Sequence, residues 1–124
     1  MPADFNLIGE ISNVDVEELE LAEHSYGDSW KQRGGVGAFM MLARKWDRIE
    51  NQCKKEGYDV FKQATEEAIH GKHDGILDDI RDLRRYLLLV EGHVMAKATS
   101  TSEMRKNELQ GTEAAEAGRA YINQ

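Results

Sequence analysis

The sequence predicts an all-α protein, a bundle of three or four helices. Three observations carry this. Two long segments, 36–56 and 76–98, repeat apolar residues at the 3.6-residue helical period. No segment shows the apolar–polar alternation of a half-buried strand. The one proline stands at position 2, so no later helix is interrupted by that route.

Composition sets outer bounds. A chain of 124 residues, 40% apolar and 31% charged, has the make-up of a globular protein with one hydrophobic core. Lys and Arg number 16 against 23 Asp and Glu, a net charge of −7. Sequence-independent binding to DNA or RNA needs clustered positive charge, so that class is excluded as an expectation. The one cysteine, Cys53, leaves no internal disulfide framework and no cysteine-rich zinc site. No apolar run is long enough for a membrane span, and MPADFNLIGEIS lacks the basic start and apolar centre of a signal peptide. The cytoplasm is the expected compartment.

The first helix is expected to begin after Ser12 or Asn13, because Ser12 and Asp15 approximate a capping box. Val16, Leu19 and Ala22 or Glu23 continue it, and Gly27–Asp28 stop it. Residues 1–30 hold Asp4, Glu10, Asp15, Glu17, Glu18, Glu20, Glu23 and Asp28 and no Lys or Arg, which reads as a solvated acidic face. A glycine-rich loop, SYGDSWKQRGGVG over 25–37, opens into the second helix. That helix runs over 36–56 and ends at Gly57. Its stripe is Phe39, Leu42, Trp46, Ile49 and Cys53, which makes Cys53 a small core residue. Residues 58–75 suit a short helix ended by Gly71 and the His73–Asp74–Gly75 turn.

The last helix is expected over 76–98. Ile76, Ile80, Leu83, Leu87, Val90 and Val94 form one stripe, and Leu77, Leu88 and Leu89 lie on other faces. A helix apolar on several sides needs several partners, either in one bundle or in a second copy; a homodimer or homotetramer is the favoured reading. Residues 99–124 are too polar to bury much alone. The expected organisation is a helical domain over 1–98 and a polar C-terminal tail or docking arm over 99–124.

Two constellations point to chemistry. With about 100° per residue, Asp47 and Glu50 share one shoulder of the stripe on the second helix. Asp79 and Asp82 flank the stripe of the last helix in the same way. If those shoulders converge, four carboxylates form an oxygen cage suited to Mg²⁺ or Mn²⁺. The competing explanation is ordinary ion pairing with Arg44, Arg48, Arg81, Arg84 and Arg85. In the loop, Ser29, Trp30, Lys31, Arg33, Gly34 and Gly35 stand just before a helix N-terminus, where an anion is favoured. Lys31 and Arg33 add charge, and Trp30 is a surface for a base; the alternative is a plain connector. Carboxylates, cations and an aromatic together describe a nucleotide site. His24, His70, His73 and His93 share no zinc spacing and read as surface or packing residues.

The segments HSYGDSWKQRGGVGAFMMLARKWDRIE and DDIRDLRRYLLLVE resemble the MazG-type all-α nucleoside triphosphate pyrophosphohydrolases, in particular small phage members that act on dGTP. Trp46-Asp47-Arg48-Ile49-Glu50 stands where that family has Glu-Glu-x-x-Glu, and Asp79-Ile80-Arg81-Asp82 where it has Glu-x-x-Asp. The resemblance covers about residues 15–95. Trp46 replaces the leading Glu and Asp79 is one carbon shorter than Glu. These departures leave the number of metal ions open and admit a second register in which Glu20 and Glu23 join Asp47 and Glu50.

The resemblance implies a Mg²⁺- or Mn²⁺-dependent hydrolase that converts a (deoxy)nucleoside triphosphate, dGTP foremost, to monophosphate and pyrophosphate. Asp47, Glu50, Asp79 and Asp82 are then metal ligands, with Glu50 and Asp79 catalytic and Glu50 orienting the attacking water. Lys31, Arg33, Arg81 and Arg85 would hold the phosphates, and Trp30 and Tyr86 would contact base and sugar beside Ser29. The alternative is a non-catalytic nucleotide-binding or regulatory phage protein on the same fold.

Overall fold

The structure, a computed structural model, describes residues 2–109. Four helices carry it: α1 (Phe5–Tyr26), α2 (Gly34–Lys54), α3 (Val60–His70) and α4 (Ile76–Leu109). A short 3₁₀ turn, Ser29–Lys31, lies between α1 and α2 and packs on α2. The described residues contain no strand, and no helix among them is long and apolar enough to cross a membrane. The chain divides into two compact units, Met1–Tyr86 and Leu87–Gln124.

Most helix ends follow from local chemistry, and two expected ends, the start of α1 and the stop of α4, are corrected. α1 starts eight residues or so before the expected Ser12 or Asn13, because Asp4 caps it: its carboxylate accepts the Leu7 N–H at 3.0 Å. Ser12 and Asp15 are therefore mid-helix. The chain leaves α2 through two left-handed residues, Gly57 and Tyr58, with φ of 63° and 66°. Tyr58 N–H donates to the Cys53 carbonyl at 2.8 Å, which closes the helix end. Asp59 caps α3 by accepting the Lys62 N–H, and Gly71, with φ of 64°, ends it as expected.

The last helix continues past the expected stop at Ala98 and reaches Leu109. The Thr- and Ser-rich run 99–102 does not break it. Thr99 Oγ1 donates to the Met95 carbonyl one turn back, so its side chain is satisfied inside the helix. Of the expected tail, residues 110–124 lie outside the described residues.

The core of the first unit is small. Ile49 and Cys53 of α2 and Ile76 of α4 are buried, with Val60, Ala64, Ile80 and Leu83 packed against them. The upper half of the expected α2 stripe is not part of it: Phe39 and Trp46 are 63% and 54% exposed. The inner face of α2 is turned instead toward Lys45, Arg48 and Gln52, for the electrostatic reason given below. In the second unit Leu87, Leu88 and Val94 are exposed, so the described residues do not supply the several-sided burial expected of α4.

One device starts α4. Glu67, buried on α3, accepts the N–H groups of Ile76 and Leu77 at 2.9 and 3.2 Å. It thereby satisfies two of the free donors at the α4 N-terminus and places negative charge at the positive end of the helix. Gly75 lies against that carboxylate, and a Cβ there would run into it. Glu67→Ala should lower stability by about 1–3 kcal/mol, the cost of stranding buried N–H donors. Gly75→Ala should also destabilise, but much less in the Glu67→Ala background. Urea unfolding of both single variants and the double variant measures this; full additivity would show that Gly75 and Glu67 do not act on one another.

Candidate functional site

The first unit buries three acidic side chains, Asp15, Glu67 and Asp79. Each reaches across to another helix. Asp79, in the first turn of α4, is 2% exposed. It accepts Arg48 Nε at 2.8 Å and Gln52 Nε2 at 2.7 Å, both from α2. Lys45 Nζ lies 3.7 Å from Asp79 and 2.9 Å from Asp82, so one ammonium bridges two carboxylates on successive turns. Burial alone would raise the Asp79 pKa. The bonds from Arg48 and Gln52 and the charges of Arg48 and Lys45 outweigh it and hold the carboxyl below the ordinary aspartate range.

The second cluster joins α1 to α4. Asp15, 1% exposed, accepts Arg84 Nη2 and Arg85 Nε, each at 2.8 Å, and also Arg84 Nε. The bond from Arg84 is the largest influence on its acidity. Burial opposes it, the bond from Arg85 adds to it, and the carboxyl stays below its ordinary range. Outside these clusters, Arg81 pairs with Asp78 at 2.6 Å, and Lys31 stands 3.8 Å from Asp28.

The predicted metal ligands are thus treated differently. Asp79 and Asp82 meet on one positive charge. Asp47 and Glu50 are exposed and do not lie on the core-facing shoulder expected of them. The reason is the roll of α2. Lys45, Arg48 and Gln52 face the acids of α4, which turns Asp47 and Glu50 outward. Among the described residues, no group of three or more His, Cys, Asp or Glu side chains is arranged to hold a metal ion. Tested against a hard divalent cation, the pair Asp79–Asp82 has suitable oxygen donors converging on one cation. Asp47 and Glu50 stand apart from that pair in this arrangement. Glu20 and Glu23, the second-register candidates on α1, are exposed.

The predicted nucleotide-binding residues scatter in the same informative way. Ser29 is exposed, while Trp30, Lys31 and Tyr86 are partly buried. Arg33 lines a groove of about 900 Å³ along α2, together with Arg44, Arg48 and Asp47. Arg81 is engaged by Asp78 in an ordinary local ion pair, and Arg85 by Asp15, 70 residues away, which the local ion-pair explanation did not anticipate. All four histidines are exposed. Sequence reasoning missed Asp15, Lys45, Gln52 and Glu67 as fold-bearing groups. A signal existed for Asp15: it falls one turn before Leu19, the partly buried residue of α1. For Lys45 and Gln52 none did, since their roles depend on which face α2 presents.

Compared with protein-family models, curated proteins and solved structures, the chain matches none of them.

The acidity of Asp15 and Asp79 makes a stability prediction. A carboxyl whose folded pKa is lowered stabilises the fold above its unfolded pKa of about 3.9, and loses that contribution as pH falls through the lower folded value. Stability should therefore fall steeply below about pH 4. Asp15→Asn should flatten that fall and lower stability at pH 7 by about 1–3 kcal/mol, discounted because Arg84 keeps contact with water. Urea midpoints from pH 7 to 2.5 measure both effects. An unchanged pH dependence in Asp15→Asn would show that the α1–α4 pair carries none of the linkage.

Proposed function

We propose that this chain is a MazG-like nucleoside triphosphate pyrophosphohydrolase, dependent on Mg²⁺ or Mn²⁺, with dGTP the foremost substrate. The observation that carries the reading is the convergence of Asp79 and Asp82 on one cation, Lys45 Nζ, from successive turns of α4. Two carboxylates that meet on a single positive charge have the disposition a hard cation needs. The resemblance of the 24–50 and 78–91 segments to that family adds to it.

A bound divalent ion would supply an acidified water and neutralise triphosphate charge. Asp79 and Asp82 would hold it, with Asp47 and Glu50 from α2 as the further ligands of the reading. Glu50, exposed and without a cationic partner among the described residues, is suited to orient an attacking water as a general base. Lys31 and Arg33 would hold the leaving pyrophosphate, with Arg81 and Arg85 as the further phosphate-binding cations of the reading. Trp30 and Tyr86, partly buried, offer faces for base and sugar, and Ser29 a hydroxyl beside them. Self-association to a dimer or tetramer, and action in a phage-infected cytoplasm, belong to the same proposal.

One observation favours a second reading, a non-catalytic nucleotide-binding or regulatory protein. Lys45 and Arg48 already neutralise Asp79, so the chain carries its own counter-charge where a metal would sit.

Pyrophosphate release from the eight common nucleotides, with and without Mg²⁺ or Mn²⁺, separates the two. The hydrolase reading expects metal-dependent turnover of at least one of them. Asp82→Asn, a change at a partly exposed position, should cut that rate at least ten-fold with an unchanged circular dichroism spectrum. Silence on every nucleotide with both metals overturns the hydrolase. Calorimetric binding of dGTP without turnover selects the second reading.

A further inference from the structure

Three side chains of α2 surround Asp79, and they hold it unequally. Arg48 Nε bonds Oδ1 at 2.8 Å and Gln52 Nε2 bonds Oδ2 at 2.7 Å. Gln52 is itself anchored, since Nε2 also donates to the Arg48 carbonyl at 3.1 Å. Lys45 differs. Its Nζ stands 3.7 Å from Asp79 Oδ1, too far for a hydrogen bond, and pairs closely only with Asp82 Oδ2, at 2.9 Å. Asp79 is buried, whereas the Asp82 side chain is 42% exposed.

The three contacts are therefore not equally costly to give up. Loss of Arg48 or Gln52 strips a hydrogen bond from a buried carboxylate. Moving Lys45 aside leaves both of those bonds in place, and water replaces the ammonium at the partly exposed Asp82. Lysine carries its charge as a compact point on a flexible four-carbon stem, and the Lys45 side chain already touches solvent. The same ammonium excludes another cation. Mg²⁺ bonds carboxylate oxygens at about 2.0–2.1 Å, and a divalent ion that close to Nζ meets strong like-charge repulsion. Asp79 Oδ1 and Asp82 Oδ2 can serve Lys45 or a divalent ion, but not both at once.

Resting on the metal site of the reading above, though not on its substrate, we infer that Lys45 is a displaceable counter-ion. It neutralises Asp79 and Asp82, and it swings out to solvent when a divalent cation takes those two oxygens. Arg48 and Gln52 keep Asp79 in place throughout. Lys45 thereby sets the metal affinity of the site, because each ion bound must first break the pair of Lys45 with Asp82.

Mn²⁺ binding to the full chain, read by electron paramagnetic resonance of the free ion, tests this together with the reactivity of Lys45. Lys45→Met, which keeps the stem and removes the charge, should bind Mn²⁺ about ten-fold more tightly than the wild type. Lys45→Arg should bind it about three-fold more weakly or worse, since a guanidinium grips carboxylates through several donors at once. A residue that only fastened α2 to α4 would not move the affinity in opposite directions. In the wild type, saturating Mg²⁺ should raise acylation of Lys45 at fixed pH several-fold relative to the exposed Lys54, read by mass spectrometry. Equal Mn²⁺ affinity in all three forms overturns the inference. So does Lys45 labelling that Mg²⁺ leaves unchanged, or Mn²⁺ binding that Asp82→Asn leaves unchanged, which places the ion elsewhere. If Lys45→Met does not fold, the wild-type labelling decides. No Mn²⁺ binding by any form overturns both the displacement and the metal-dependent hydrolase. Silence on every nucleotide, with the Lys45 results as expected, overturns the hydrolase alone.

Discussion

The first unit depends on one constraint: α4 is tied to each of the other three helices by a buried carboxylate. Asp15 of α1 holds Arg84 and Arg85. Asp79 of α4 holds Arg48 and Gln52 of α2, with Lys45 beside them. Glu67 of α3 holds the first N–H groups of α4 itself. Among the described residues only Ile49, Cys53 and Ile76 are buried apolar side chains, so hydrophobic burial alone is a weak guide to how these helices meet. The carboxylates are directional. A buried acid left without its donors costs far more than a misplaced methyl group, so each helix has one roll about its axis that leaves no buried acid without a partner.

The same constraint explains why structure and chemistry are hard to separate in this chain. Two of the four positions that suggest a metal cage, Asp79 and Asp82, are the positions that lock α2 to α4. Lys45 occupies the meeting point of Asp79 and Asp82, Arg48 bonds the same Asp79 oxygen, and Gln52 bonds the other. A cation there is necessary in either case, because two nearby carboxylates repel one another unless a positive charge stands between them. Whether that charge is only the chain's own ammonium or also a divalent ion is the chemical question that the nucleotide assay answers. Asp47 and Glu50, by contrast, are released from the core by the roll of α2 and stand in solvent.

Helix content was legible because it is written locally. The periodicity of 36–56 and 76–98 marked α2 and α4, and Gly71 marked the end of α3, since a left-handed residue closes a helix wherever it falls. The start of α1 was missed because two caps competed. Asp4 and Ser12 both precede acceptable helix, and the earlier cap wins when nothing between them breaks the backbone. The extent of α4 was missed for the opposite reason: Ser and Thr residues that often terminate a helix can bond back within it, as Thr99 does.

The candidate site was legible only as an inventory. The acids at 47, 50, 79 and 82 and the cations around them were visible in the sequence, and both a cage and a set of ion pairs were open. Angles on one helix say which residues share a face; they do not say which face meets a partner. The sequence by itself determined that the chain is helical, which segments form the helices, and which charged residues stand near one another along them, because hydrogen bonding and capping act over a few residues. Only the tertiary structure decided that α2 turns Lys45, Arg48 and Gln52 toward α4 and leaves Asp47 and Glu50 outside. That choice depends on a charge 31 residues away, between Arg48 and Asp79, which no local pattern encodes.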